Sequence, residues 1–136
     1  MPEITELIPQ RAPILEVDRL LSCSAENAET ERVVRQDNFF YDNGRLTEPG
    51  LIEHVAQSSA AFAGYAGFAN GEKPHLGYIG EIKKCTISRL PLEGEVLRTS
   101  ISLVSQVGPI SLIRGVTVSN GLQILECQMK IFLKDE

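Results

Sequence analysis

Between Pro49 and Gly71 the chain has no lysine, no arginine and one carboxylate, Glu53. A helix on a protein surface carries several charges opposite its apolar face. A helix here must therefore be covered on more than one side. The stretch has the length of a membrane span, yet Glu53, His54, Gln57, Ser58, Ser59 and glycines 50, 64, 67 and 71 make it too polar for one. No membrane partner is expected. The three cysteines, Cys23, Cys85 and Cys127, show no CxxC or Cys/His spacing. That argues against zinc or any other metal site, and fits reduced thiols packed as small hydrophobes in a cytoplasmic protein. Basic residues are not in excess: the net charge is −5, which argues against nucleic acid as a partner. MPEITELIPQ has no basic region followed by an apolar run, so no signal peptide is expected. Repeats, linkers and low-complexity runs are also missing. One domain spanning 1–136 is the expectation, large enough to bury a core.

What is there is an ordered set of elements. Residues 3–8 suit a short helix stopped by Pro9. Ile14–Ser24 and Thr30–Gln36 read as strands, the first facing inward through Leu15, Val17 and Leu21 if a bulge shifts its register. DNFFYDNGRLTEPG reads as an ordered loop. Thr47 as N-cap, with Glu48 and Pro49 in the first turn, starts a helix running to about Phe68. Strands follow at His75–Arg89, Val96–Gln106, Ile110–Ser119 and Leu122–Lys134, with Asn120-Gly121 a type I′ hairpin signal. The fold class is α+β, one long central helix wrapped by a curved antiparallel sheet.

On that helix, Leu51, Ile52, Val55, Ser59, Phe62 and Ala66 share one stripe, while Glu53, Gln57, Ala60 and Gly64 form a second. The second stripe needs its own cover, and a second subunit is the simplest one. Glu53 is the candidate catalytic carboxylate, placed for acid–base work in a largely desolvated site. His54 lies 100° around the helix from it and faces elsewhere. It enters as a secondary catalytic candidate, through a substrate or subunit approaching its own side. Gly50 and Leu51, at the helix start, are candidates to offer backbone N–H groups to a carbonyl oxygen.

Several segments resemble the β-hydroxyacyl-[acyl carrier protein] dehydratases. PQRAPILEVDRLL (9–21) resembles their opening "PHR-P-LLVDR" segment. NFF (38–40) and PGLIEHVAQ (49–57) resemble their loop and their helix motif "E-x-x-A-Q", and GYIGEIKKCTISRLPLEGEVL (77–97) the strand-turn-strand that follows. The AQSSAAFAGY run is most similar to the branch found in aryl-polyene and flexirubin-type pigment gene clusters. The resemblance implies the hotdog fold, and a dimer whose sheets join and whose active sites lie between subunits. It implies no cofactor beyond the substrate's own carrier, an acyl carrier protein phosphopantetheine or CoA. In such dehydratases a loop histidine removes the α-proton, a helix carboxylate protonates the departing hydroxyl, and a helix-start amide holds the thioester oxygen. Glu53 matches the carboxylate, and Gly50 with Leu51 the helix start.

The histidine positions depart from that pattern. Asn43 falls where the loop histidine is expected, and Gln10 where a second family histidine stands. Tyr41 and Asp42 are the nearby titratable substitutes. Three functions follow. The first is a 3-hydroxyacyl-thioester dehydratase in fatty-acid or polyene-type biosynthesis. The second is a hotdog thioesterase, with Gln57 assisting Glu53 at the substrate. The third is a non-catalytic subunit. The assembly is thus either a homodimer or a heterodimer with a related, active hotdog subunit. Arg45, Lys83, Lys84 and Arg89 are candidates for docking an acidic carrier protein, with Lys83 and Lys84 on opposite strand faces.

Overall fold

The computed structural model of the chain describes residues 1–73 and 76–134. A short helix α1 (Ile4–Leu7) is followed by strands β1 (Arg19–Cys23) and β2 (Asn27–Val33) and a two-stranded hairpin, β3 (Tyr41–Asp42) and β4 (Arg45–Leu46). The long helix α2 (Glu48–Ala69) comes next. Strands β5 (Leu76–Ile87), β6 (Val96–Val107), β7 (Ile110–Ser119) and β8 (Leu122–Lys134) complete the chain. Six strands form one antiparallel sheet in the order β1-β2-β6-β7-β8-β5. This matches the expected class, one main helix against a curved antiparallel sheet. The edges are β1 and β5.

The helix start is the one the sequence indicates, with Thr47 at the cap and Pro49 in the first turn. Thr47 does not cap through its side chain, however. Its hydroxyl donates to the Phe40 carbonyl at 2.7 Å and ties α2 to the preceding loop. Asn120-Gly121 turns β7 into β8 with both residues at positive φ, as a type I′ turn requires. The first expected strand is shorter than Ile14–Ser24 because residues 14–16 bond to α2 instead of to a strand. Its bulge is present between Leu20 and Ser22, and it turns Leu20, not Leu21, fully inward. His75, the expected start of the fifth long strand, lies outside the described residues.

Two clusters form the core. Leu51 and Val55 of α2 pack on Leu97, Ile101, Ile113, Leu125, Cys127 and Met129 of the sheet. Ile4, Leu7 and Ile8 pack on Ala60 and Ala61 of α2, with Val17, Leu20 and Ala28. So the N-terminal segment supplies part of the cover that the second stripe needs, and a second subunit is not its only cover. Gly64 makes this possible: a Cβ built there would stand 2.4 Å from the Leu7 carbonyl oxygen.

Under α2 the sheet carries a polar row. Thr30, Thr99 and Thr117 are cross-strand neighbours on β2, β6 and β7, and all three are buried. Thr30 shares a 2.7 Å hydrogen bond with Ser58 of the helix, and Thr99 shares one of the same length with Thr117. Satisfied polar pairs of this kind hold a helix in one register, which an all-apolar interface does less sharply.

Candidate active site

Glu53 is half-buried on α2, one turn before Gln57. The i,i+4 spacing puts the two side chains together, and Gln57 Nε2 donates to Glu53 Oε2 at 2.7 Å. The same Nε2 donates to the Ile14 carbonyl at 3.1 Å, and Gln57 Oε1 accepts the Glu16 N–H at 2.7 Å. Gln57 is almost fully buried, and both its N–H bonds are committed to protein. The carboxamide aims Glu53 and pins residues 14–16 to the helix, so Gln57 reaches the Glu53 cavity with its donors already used.

A cavity of about 200 Å³ opens beside Glu53. Ala56, Gln57 and Ala60 line it from α2, Gln10 from the segment after α1, Gly77, Tyr78 and Ile79 from edge strand β5, and Ile131 from β8. The small residues of the second stripe leave this space. A larger cavity, about 490 Å³, lies further along α2 between Phe62, Ala63 and Ala66 and the far ends of β6 and β7. Its lining is mostly apolar, and Ile131 borders both cavities. The smaller cavity holds the carboxylate, and for that reason it is the candidate site.

His54 is elsewhere. It is fully buried, with Nδ1 at 2.7 Å from the Glu16 carbonyl and Nε2 at 2.7 Å from Thr99 Oγ1. A carbonyl only accepts, so Nδ1 carries the proton and Nε2 accepts from Thr99. Burial pushes the imidazole down to about 4. A neutral ring with both nitrogens engaged has no lone pair or proton for a substrate. This corrects the secondary expectation of His54 as a catalytic group.

The helix-start candidates are also displaced. Leu51 is a core residue whose N–H donates to the Thr47 carbonyl at 3.0 Å. Gly50 is buried, and a Cβ there would meet Leu46 Cδ1 at 2.6 Å and Phe40 Cβ at 2.7 Å. Its glycine serves that close approach, and neither residue lines the Glu53 cavity.

The region of the missing loop histidine is a tight hairpin and not a loop. Asn43 and Gly44 stand at φ 52° and 85° between β3 and β4. Asn-Gly supplies the two left-handed residues of such a turn. The signal was in the sequence, identical to the one at 120–121. Asn43 and Asp42 are exposed, Tyr41 packs on the core, and none of the three lines the cavity.

One group escaped sequence reading. Glu16 is fully buried, 3.6 Å from Arg32 Nη2, and neither carboxylate oxygen has a hydrogen-bond partner among the described residues. Burial pushes its carboxyl up to about 7, against the pull of the Arg32 guanidinium. Nothing in ILEVDR marks a buried acid, since it alternates with apolar residues as a surface strand does. No cluster of three or more metal-ligating side chains occurs among the described residues, and no helix among them is long and apolar enough to cross a membrane.

A model of the ApeP dehydratases (ApeP-like) matches residues 2–136. The chain belongs to the ApeP-like dehydratase family. This ApeP-like chain is 28% identical to the 3-hydroxyacyl-[acyl-carrier-protein] dehydratase FabZ of Clostridium acetobutylicum over 96% of its length and 95% of that protein's. It is 31% identical to FabZ of Exiguobacterium sibiricum, over 88% of its length and 87% of the relative's. Among solved structures it is similar to a chain of the dehydratase heterocomplex ApeI:P from Xenorhabdus doucetiae, with TM-score 0.91, 17% identity, and coverage of 100% and 93%. The ApeP-like chain therefore has the hotdog fold and a dehydratase-like function.

Proposed function

We propose that the chain is one subunit of a 3-hydroxyacyl-thioester dehydratase, with Glu53 as the acid that protonates the departing 3-hydroxyl. The observation carrying this reading is the Glu53 carboxylate held by Gln57 at a cavity bordered by edge strand β5. In the reaction the Cβ–O bond breaks with the proton from Glu53, water leaves, and the α-proton passes to a base as the double bond forms. Only Glu53 and Tyr78 are titratable among the described residues lining the cavity. We assign the base to a second hotdog subunit that pairs along β5. Tyr78, Ile79 and Ile82 are exposed on that edge, and a long apolar edge strand calls for a partner. The departure at Asn43 and the ApeI:P heterocomplex support a related, non-identical subunit.

The FabZ relatives, named for a 3-hydroxyacyl-[acyl-carrier-protein] substrate, support an acyl group carried as a thioester on an acyl carrier protein; a reaction in the cytoplasm with no further cofactor belongs to the same proposal. Its tail extends past Ile131 toward the larger cavity. Carrier docking draws little on the expected basic residues. Arg89 is paired with Glu95 at 2.7 Å, and Arg45 donates to the Leu90 carbonyl. Lys84 sits at φ 49° in a bulge of β5, so Lys83 and Lys84 do not simply alternate faces.

The test is enoyl-thioester formation from a 3-hydroxyacyl carrier thioester, by the chain alone and with a related hotdog subunit added. Turnover by the complex and little by the chain alone is the expected result. Full activity of a homodimer would remove the need for a partner's base. Thiol release without enoyl product would favour a thioesterase instead.

A further inference from the structure

A thioester carbonyl accepts hydrogen bonds and cannot donate one, so a site that holds it must supply a donor. The cavity beside Glu53 is short of donors. Both N–H bonds of Gln57 are committed to Ile14 and Glu53. The helix-start residues Gly50 and Leu51 do not border the cavity. The lining side-chain donors that remain are Gln10 Nε2 and the Tyr78 hydroxyl, and Tyr78 is 48% exposed.

Gln10 is the better placed. Its Oε1 is buried without a partner, and its Nε2 bonds to no protein group among the described residues. A buried carboxamide oxygen without a partner is uncommon in a folded protein, and rotation about the last side-chain bond brings Nε2 to the same wall in its place. Its backbone, in contrast, is held firmly. Arg11 Nη1 donates to the Ile8 and Gln10 carbonyls at 2.8 and 2.9 Å, and Nη2 to the Thr5 carbonyl at 3.0 Å. Gly64 lets the preceding Leu7 lie directly on α2. The backbone that carries the carboxamide is thus held in place before any ligand arrives.

We propose that Gln10 Nε2 donates to the thioester oxygen of the bound acyl group. Negative charge builds on that oxygen as the α-proton leaves, and a donor carried on a held backbone there lowers the barrier. This rests on the thioester reading above. The probes are octanoyl-pantetheine and the matching thioether, which lacks the carbonyl. Neither carries a 3-hydroxyl to eliminate. They are titrated against the complex with wild-type chain and with Gln10→Met. The variant binds the thioester about fivefold more weakly, the worth of one ordinary hydrogen bond, and the thioether unchanged. The carbonyl stretch of the bound thioester is lowered in wild type and returns to its solution position in the variant. Gln10→Glu keeps the shape without the N–H and behaves as Gln10→Met does. Equal losses for both ligands, an unmoved stretch, or wild-type-like binding by Gln10→Glu overturns the assignment to Gln10 alone. Wild type binding neither ligand overturns the thioester reading itself.

Discussion

Glu53 and His54 are adjacent in sequence and belong to different parts of the molecule. Glu53 faces a cavity with one carboxylate oxygen held by Gln57. His54 is sealed between α2 and the sheet, with both nitrogens bonded to protein. One helix presents a reactive group on one side and a structural polar seam on the other. A polar residue on a buried helix is thus read by what its atoms are free to do. Glu53 has an oxygen to spare, and His54 has nothing left.

The sharpest way to break this contrast is Glu53→Gln. It keeps the volume and removes the transferable proton, so turnover of the complex falls by about 10²- to 10⁴-fold, the range for a positioned acid. Thermal unfolding barely moves. His54→Ala does the reverse. It strands the Glu16 carbonyl, leaves the Thr99 hydroxyl with Thr117 alone and opens a void, costing about 3 kcal/mol by urea unfolding. Such a variant that stayed as stable as wild type would show the seam to be idle.

Acidity separates the two sides further. His54 has its ordinary 6.5 when unfolded and about 4 when folded. Its contribution is whole above 6.5 and is lost as pH falls toward 4. Glu16 runs from 4.5 unfolded to about 7 folded. Its contribution is whole below 4.5 and is lost as pH rises through 7. The two slopes oppose each other across the same window, so wild-type stability stays flat there as far as these groups decide it. Glu16→Gln unmasks the histidine. Stability then rises with pH between 4 and 6.5, by at most about 1.4 kcal/mol per unit. A flat profile in that variant would disprove the pairing. The smallest effect belongs to Asn43→Ala, which strains a left-handed turn residue by about 1 kcal/mol and leaves turnover unchanged.

The sequence carried the architecture well, because its signals are local. Thr47 and Pro49 mark the helix start, and Asn120-Gly121 marks the hairpin. Glu53 stood out as the lone acid of an uncharged stretch, and the structure puts it at a cavity wall. What the sequence hid depends on long-range placement. Glu16 is buried because Gln57 and His54 grip its backbone from α2, and no neighbour in the chain reports that grip. Gln57 looked like a substrate ligand because its spacing fits one. Only the positions of Ile14 and Glu16 show that its amide is already occupied. Asn43-Gly44 is a turn signal as clear as Asn120-Gly121, but its flanks are short and polar, and such flanks suit a loop as well as a two-residue strand.

The bonding at His54 also gives the molecule a built-in spectroscopic reporter. A proton on Nδ1, 2.7 Å from the Glu16 carbonyl and shut off from solvent, exchanges only when α2 parts from residues 14–16 or from the sheet. Its downfield resonance would persist in water, and its rate of loss in deuterated buffer would time that separation directly.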